Sequence, residues 1–429
     1  MSKIKSLQLV IVVLIAAFVG YYFGSNSVKV SWDNFKPSVA VTNKEAPQTL
    51  NNVDFSLFWN VWSKLESNYY DKTKLDPQKM LNGAITGLTQ SLEDPYTMFL
   101  PPKQNTNFKD GLAGQFSGIG AELGTKDKQI IVIAPLDQSP AQKAGIQAGD
   151  MILKVDGEST IDWTLPFTVD KIRGPKGTSV VLTVLHKSSE KPQDIKIVRD
   201  IITVKSVTGW VKNIKYQKSN IKNPIEILEE NEKCDNCSKI AYIRLSQFGD
   251  STNNDWSNII SKFDLQMQGD SSIRGLIIDL RNNPGGYLND AKFIASEFLP
   301  ENNVVVYEDT GSKRTSSVVE RKGLFTNKDF KIVVLINKGS ASASEIVAGA
   351  LRDHKRAILI GETSFGKGTI QEATDLGNGA GIHVTVAKWL TPNGTWVNGA
   401  GLKPDIEVML DEKDPSHDAQ LEKAVLELL

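Results

Sequence analysis

Ser342 and Lys367 stand twenty-five residues apart, each in a loop of small residues. The first loop reads Gly339-Ser340-Ala341-Ser342-Ala343-Ser344-Glu345, and the second reads Ser364-Phe365-Gly366-Lys367-Gly368-Thr369. A hydroxyl in a tight, small-residue turn beside a strand lets an extended substrate backbone approach closely. A lysine flanked by glycines, at the end of an apolar strand, can point into the same cleft. If the two meet and burial keeps the amine neutral, the chain is a serine hydrolase that needs no histidine. His186, His354, His383 and His417 are scattered, and nothing resembles Gly-x-Ser-x-Gly. No His–Asp partner set is evident, which argues against a Ser-His-Asp enzyme.

Each residue also has a plainer reading. Ser342 can cap a helix, and Ser342-Ala343-Ser344-Glu345 has the spacing of a capping box. The plain and the catalytic readings are compatible. A helix start supplies free N–H groups and the positive end of a dipole, so the Ala343 N–H can meet an oxyanion formed when Ser342 attacks a carbonyl. Lys367 ends a near-match to a phosphate-binding loop beginning at Gly361, but Gly368 stands where a magnesium-binding Ser or Thr is needed. Ser364-x-x-Lys367 has the spacing of penicillin-recognising enzymes. That spacing recurs at Ser2/Lys5, Ser188/Lys191 and Ser219/Lys222, and the companion Ser-Asp-Asn and Lys-Thr-Gly signatures are missing. Cys234 and Cys237 are the only cysteines. With no second Cys or His cluster nearby, a local disulfide or two spectator thiols is favoured over zinc, and no metal is expected.

The elements that must position these residues follow from patterning. A chain of 429 residues has room for two or three domains. Its 49 Lys+Arg against 50 Asp+Glu give no general reason for nucleic acid as a partner. Lys3 and Lys5 precede an apolar run from Leu7 to Gly24, broken only by Gln8. At about 1.5 Å per residue such a run just spans a bilayer. The positive flank comes first, so residues 7–24 are expected to be an uncleaved, single-pass signal anchor in the cell membrane. Its N-terminus stays cytoplasmic and the remaining domains face outward. A cleaved signal peptide is the competing reading, disfavoured by the length of the run and by the lack of a small-residue cleavage site at Tyr21-Tyr22-Phe23. Residues 25–52 read as a flexible tether. Over 53–104, apolar residues at 55, 58, 59, 62 and 65 predict one helix. A second runs from Pro77 to Leu92 and ends in the turn Glu93-Asp94-Pro95-Tyr96-Thr97. Residues 105–200 read as a small β-rich module closed by a strand from Ser179 to His186. From 201 to 410 strands and helices alternate, with strands at Ile240–Leu245, Gly275–Leu280, Lys331–Asn337 and Ala357–Ile360 and a helix at Ala343–His354. This pattern predicts an α/β layer, followed by a helical tail at 411–429. Ligands of such sheets gather at the carboxyl ends of strands. Both Arg281-Asn-Asn-Pro-Gly-Gly286 and the Ser342 loop directly follow strands.

Several of these stretches, in this order, resemble the carboxyl-terminal processing peptidases, also called tail-specific proteases. The likeness runs from about residue 55 to 410. It is carried by Asp94-Pro-Tyr-Thr, Leu280-Arg-Asn-Asn-Pro-Gly-Gly286, Asn337 to Leu351, Gly361 to Gln371 and Gly401-Leu-Lys-Pro-Asp405. The resemblance implies an α/β serine protease core with an inserted PDZ domain. It implies Ser342 as nucleophile, Lys367 as general base and Gln371 as the residue that positions the lysine. Ala343 and the Gly285-Gly286 turn resemble the family's oxyanion hole. Gly118-Ile119-Gly120-Ala121 resembles the PDZ loop that receives a peptide carboxylate. Arg173 resembles a position coupling the PDZ domain to the active site. No cofactor is implied. The implied partners are proteins with unstructured C-terminal tails and a second copy of the chain in a homo-oligomer formed through the 55–100 helices, whose apolar faces could equally pack on the core. The sequence leaves an activating partner open.

Elementary chemistry agrees with these roles. A neutral lysine needs a value well below about 10, which apolar neighbours such as Phe365 can supply by desolvation. Gln371 lies four residues after Lys367, on the same face if both sit on one strand. Its carbonyl can accept from the amine without adding a charge that favours the ammonium. The alternative from another class is a membrane-tethered PDZ scaffold with an inactive protease fold, against which the intact Ser342, Lys367 and Gln371 argue.

Overall fold

Apolar runs that alternate with amphipathic helices become a layered core with the Ser342 and Lys367 loops at one end of a sheet. The computed structural model describes residues 28–33, 36–41, 53–126, 129–136, 138–147, 149–163, 165–186, 189, 191–216, 225–228, 232, 234, 237–270, 272–326, 330–410 and 417–429. The expected signal anchor at 7–24 lies outside these residues. Among the described residues no helix is long and apolar enough to cross a membrane.

The chain divides into two compact units, residues 1–80 and 81–429. In the first, Val28–Asp33 pairs antiparallel with Lys36–Val41. The stretch expected to be a tether therefore contains a hairpin, whose alternating Val28, Val30 and Trp32 have the period of a strand. The helix Ser56–Asn68 follows and buries none of its residues. A second helix spans Pro77–Gln90, two residues shorter than its apolar pattern suggests.

In the second unit a seven-stranded sheet runs Ile225–Ile227, Val207–Tyr216, Ser238–Leu245, Ile273–Asp279, Lys331–Ile336, Ile358–Gly361, Ile406–Glu407. Its last five strands are parallel. Such strands are buried on both faces, which accounts for continuous apolar runs such as Ile332 to Ile336. Period-two alternation then sorts that run. Ile332, Val334 and Ile336 face a core with Trp256, Phe298 and Val347, while Val333 and Leu335 pack with Ala424, Val425 and Leu428 of the C-terminal helix Ala419–Leu428. A second sheet orders Arg314–Val318, Val304–Asp309, Ala380–Leu390 and Thr369–Gly377, and Met98–Leu100 also pairs with Ala380–Leu390.

The β-rich module is an antiparallel sheet ordered Gln193–Val198, Ser179–Leu185, Met151–Val155, Gln129–Pro135, Ala121–Lys126. Its core holds Ile130, Val132, Ile152, Leu182 and Ile197. The strand Ser179–Leu185 does not close it, because Gln193–Val198 pairs beyond. Gln115–Gly118, on the N-terminal side, instead pairs with Asp200–Thr203 in a separate ribbon, so the module's sheet begins only at Ala121. Cys234 and Cys237 are joined by a disulfide.

Candidate active site

Three neighbouring parallel strands, Ile273–Asp279, Lys331–Ile336 and Ile358–Gly361, deliver three turns side by side at their carboxyl ends. Adjacent strands lie about 4.8 Å apart, so residues far apart in sequence become neighbours. Asparagines clip the first two turns together. Asn282 N–H donates to Asn337 Oδ1 at 2.8 Å, and Asn337 Nδ2 returns a bond to Asn282 Oδ1 at 2.9 Å. The fully buried Asn283 presents its carbonyl to Ala341 N–H at 3.0 Å and to Ser344 Oγ at 2.9 Å.

These contacts separate the three alternating serines. Ser340 and Ser344 are fully buried. Ser340 Oγ donates to Leu280 O at 2.8 Å and accepts from Asn337 N–H, and Ser344 Oγ donates to Asn283 O. Both hydroxyls are structural. Ser342 alone is partly exposed, at the start of the helix Ala343–Asp353, with φ 54° and ψ −114°. A non-glycine residue held in so sparsely populated a region stores about 1–3 kcal/mol, and such strain clusters at functional sites. The strand-to-helix turn leaves Ser342 partly exposed although no Gly-x-Ser-x-Gly motif encodes it.

The groups expected to form an oxyanion hole fall into two kinds. The Ala343 and Gly286 N–H groups make no hydrogen bond among the described residues, so both remain available. The Gly285 N–H does not, because it donates to Asn283 Oδ1 at 2.9 Å. Gly285 instead supplies space. With φ +96°, a Cβ on it would lie 2.8 Å from Ser342 Cβ and 3.0 Å from Ala343 N. Its part in the expected hole is therefore corrected from donor to gap, since an intervening side chain carboxamide takes its hydrogen.

Glu345 joins the serine loop to the lysine loop. It is fully buried on the first turn of the helix. Its Oε2 accepts from Ser342 N–H at 2.7 Å and from Lys367 N–H at 3.0 Å. Its Oε1 accepts from Ser364 Oγ at 2.6 Å and from Gly366 N–H at 2.7 Å. Burial pushes this carboxyl above its ordinary value, and the four donors oppose that by favouring the ionised form. Sequence reasoning identified Glu345 only as the far end of a capping box. The contacts to residues 364–367 had no local signal.

Lys367 is half-buried, and burial lowers its amine below the ordinary lysine value against the opposing charges of Asp94 and Glu345. Phe365 does not provide the shielding expected of it, being 55% exposed. Tyr96 lies against the amine instead, with Lys367 Nζ 4.9 Å from its ring centroid. Among the described residues no hydrogen bond joins Lys367 Nζ to Ser342 Oγ or to Gln371. The Gln371 amide donates to Thr369 Oγ1 at 2.9 Å and to Thr385 Oγ1 at 3.1 Å. Counting by twos from Lys367 to Gln371 fails for a geometric reason. The strand begins only at Thr369, and its register shifts between Ile370 and Gln371.

In the β-rich module, Ala121–Lys126 is an edge strand, and residues 118–121 lead into it. The Ile119 and Gly120 carbonyls accept from Ala141 N–H and Leu136 N–H, while their own N–H groups make no hydrogen bond among the described residues. Gly120 has φ +73°, and a Cβ there would come within 2.5 Å of Ser139 Cβ. The loop therefore combines free donors with an open sheet edge. Arg173 stacks its guanidinium 5.1 Å from the Phe116 ring, on the Gln115–Gly118 ribbon strand bordering the module.

A family model described as peptidase family S41 matches residues 239–408, one described as a PDZ domain matches 131–185, and one described as the activating protease CtpB N-terminal domain matches 13–103. The chain is 37% identical over 374 residues to the carboxy-terminal-processing protease of Bartonella bacilliformis, covering 86% of this chain and 79% of the relative. It is 34% identical over 394 residues to the carboxy-terminal processing protease CtpB of Bacillus subtilis, covering 91% and 74%. A putative S41 protease from Bacteroides fragilis shares the fold, with a TM-score of 0.52 at 15% identity over 85% of this chain and 94% of that one.

Proposed function

Because the chain belongs to the carboxy-terminal-processing proteases of peptidase family S41, and is a serine-type peptidase with a PDZ domain, we propose that it is a membrane-anchored endopeptidase that reads unstructured C-terminal tails and cuts them with a Ser342–Lys367 dyad. Ser342 Oγ attacks the scissile carbonyl as Lys367 takes its proton. The oxyanion is received by the Ala343 and Gly286 N–H groups. The lysine returns the proton to the leaving amine, leaving an acyl-enzyme. Water, deprotonated by the same lysine, then releases the acid and the serine. Gln371 acts from the second sheet through the Thr369 and Thr385 hydroxyls rather than by direct contact with the amine.

The tail adds to the free edge of Ala121–Lys126, with its terminal carboxylate at residues 118–121. Arg173, beside that ribbon, links tail capture to the active site. The run from Leu7 to Gly24 anchors the chain, with both domains outside the cytoplasm. The helix Ser56–Asn68, which leaves Leu57 and Trp59 exposed, serves the homo-oligomer, and an activating partner completes the system.

The observation that carries this reading is the single Glu345 carboxylate holding the backbone of a strained, partly exposed serine and of a half-buried lysine together. The test is cleavage of an unstructured tail protein by the wild type, Ser342→Ala and Lys367→Arg, with urea unfolding as a control. Each variant is expected to lose at least ~10³-fold in kcat/KM, because arginine cannot act as a base at physiological pH. A serine-reactive probe, with a tail peptide present, should label Ser342. Cleavage at the wild-type rate by Ser342→Ala sinks the nucleophile assignment, and by Lys367→Arg the base.

A further inference from the structure

Tyr96 takes part in none of the steps above, yet its ring lies against the group proposed as the base. The turn that carries it is tightly held. Asp94 accepts from Tyr96 N–H at 3.0 Å and from Thr97 Oγ1 at 2.7 Å. Thr97 Oγ1 in turn accepts from Thr385 N–H at 3.0 Å. The next three residues, Met98–Leu100, pair with the strand Ala380–Leu390. The backbone at Tyr96 is thus fixed on both sides, whereas the lysine side chain has four torsions.

We propose that Tyr96 is a positioning residue for Lys367: its ring face is a rest for the lysine amine, which must leave it before reaching Ser342. The proposal builds on the reading of Lys367 as general base. Three observations support it. Lys367 Nζ is 4.9 Å from the ring centroid, within cation–π range. No hydrogen bond joins Nζ to Ser342 Oγ among the described residues. The charged groups facing the amine are Asp94 from the turn, Glu345 from the helix and His383 from the strand Ala380–Leu390. The two carboxylates favour the ammonium, as does the electron-rich ring face, and all three oppose the burial that lowers the amine. The His383 imidazole is held below its ordinary value by burial and by Lys367, so it adds little positive charge at neutral pH. The two carboxylates and the ring thus pull the amine toward its cationic form against the burial that lowers it, and a base held as a cation is withheld from the serine.

The test uses the full chain, made inactive by Ser342→Ala and carrying lysine labelled with ¹³C at Cε. The Lys367 signal is assigned by its loss in Lys367→Arg. With Tyr96 in place, the Lys367 ε-methylene protons are expected upfield of the other lysines, shifted by the ring current. Tyr96→Leu should abolish that shift and lower the titration midpoint by ~0.5–1 pH unit, from removal of the cation–π term. Tyr96→Phe, which keeps the ring, should retain both values. Ordinary ε-methylene shifts in the chain with Tyr96 overturn the proposal without recourse to any variant. An unchanged midpoint in Tyr96→Leu, or an equal fall in Tyr96→Phe, overturns it as well. In the active enzyme, the acid limb of kcat/KM should move down with the midpoint in Tyr96→Leu. If the midpoint moves and the limb does not, the ring rest stands and the general-base reading falls.

Discussion

Two helices leave the turns of the active site, and each carries a buried carboxylate three residues after its N-cap. Glu345 belongs to Ala343–Asp353 and Asp290 to Leu288–Ala295. Both lie near the positive end of a helix dipole. Their surroundings nevertheless differ. Glu345 is met by four donors from two loops. Among the described residues Asp290 has one, Asn253 Nδ2 at 2.9 Å, while Asp290 Oδ2 and Asn253 Oδ1 are buried with no hydrogen-bond partner. Burial, reinforced by the charge of Asp250, pushes Asp290 up to about 6. A protonated Asp290 can donate to the Asn253 carbonyl and close a reciprocal acid–amide pair, leaving no orphan. Among the described residues Glu345 faces three N–H groups and the Ser364 hydroxyl, which already donates to it, so a proton on the carboxyl would displace a donor rather than fill a vacancy. The number of donors that tertiary contacts bring, more than the shared dipole, decides what each carboxyl does.

The comparison can be broken most sharply at Glu345. In Glu345→Gln the amide settles best with its NH₂ at the Oε1 position, where the Ser364 hydroxyl can turn to accept from it and the Gly366 N–H is left unpaired. The expected result is a loss of ~2–4 kcal/mol in urea unfolding, from one buried orphan and the loss of charge-assisted bonds to the carboxylate. Hydrolysis of a tail peptide should fall at least ~10²-fold, because the Ser342 and Lys367 backbones are no longer held firmly in register. Near-wild-type values in both assays would show that the carboxylate is not the link. Ser364→Ala is expected to have a smaller effect. It removes the donor to Glu345 Oε1 and the acceptor for Leu402 N–H, bonds of 2.6 Å each. A loss of ~1–2 kcal/mol should follow, with a weaker fall in kcat/KM because Gly366 N–H still holds the carboxylate.

Asp290→Asn should change stability by no more than Ser364→Ala does, and with opposite sign. An acid whose folded value is raised contributes stability that is full below its unfolded value near 3.9 and is lost as pH rises through about 6. Asparagine does not titrate, and it can complete the reciprocal pair with Asn253. The variant should therefore be more stable than the wild type by ~1–2 kcal/mol at pH 7–8, with the gain fading toward pH 4. Urea midpoints measured across that range check the prediction. A pH-independent difference would mean that Asp290 does not titrate with folding, and the contrast with Glu345 would lose its electrostatic basis.

Much of this architecture was legible because it rests on local rules. Apolar runs with period two or continuous burial marked the strands of the core, and boundaries erred by only a residue or two. The strand expected at Gly275–Leu280 spans Ile273–Asp279, and the helix expected to end at His354 ends at Asp353. Ser342 was readable as a helix start because a cap acts across three residues. The Gln371 geometry was not readable, since a turn and a register shift intervene between it and Lys367. The shielding of Lys367 was assigned to its neighbour Phe365, whereas the aromatic ring beside the amine comes from Tyr96, far away in the chain.

The sequence by itself determined the chemical inventory: a serine able to start a helix, a lysine between glycines, a glycine-rich turn, and strands to carry all three. Tertiary structure decided which hydrogen on which atom was left free. The contacts that made those choices span 61 residues from Ser344 to Asn283 and 19 from Ser364 to Glu345. Strand order brings such partners together. A hydrogen bond acts only over about 3 Å, so a pattern along the chain cannot reveal which distant group will claim a donor until the sheet has placed them side by side.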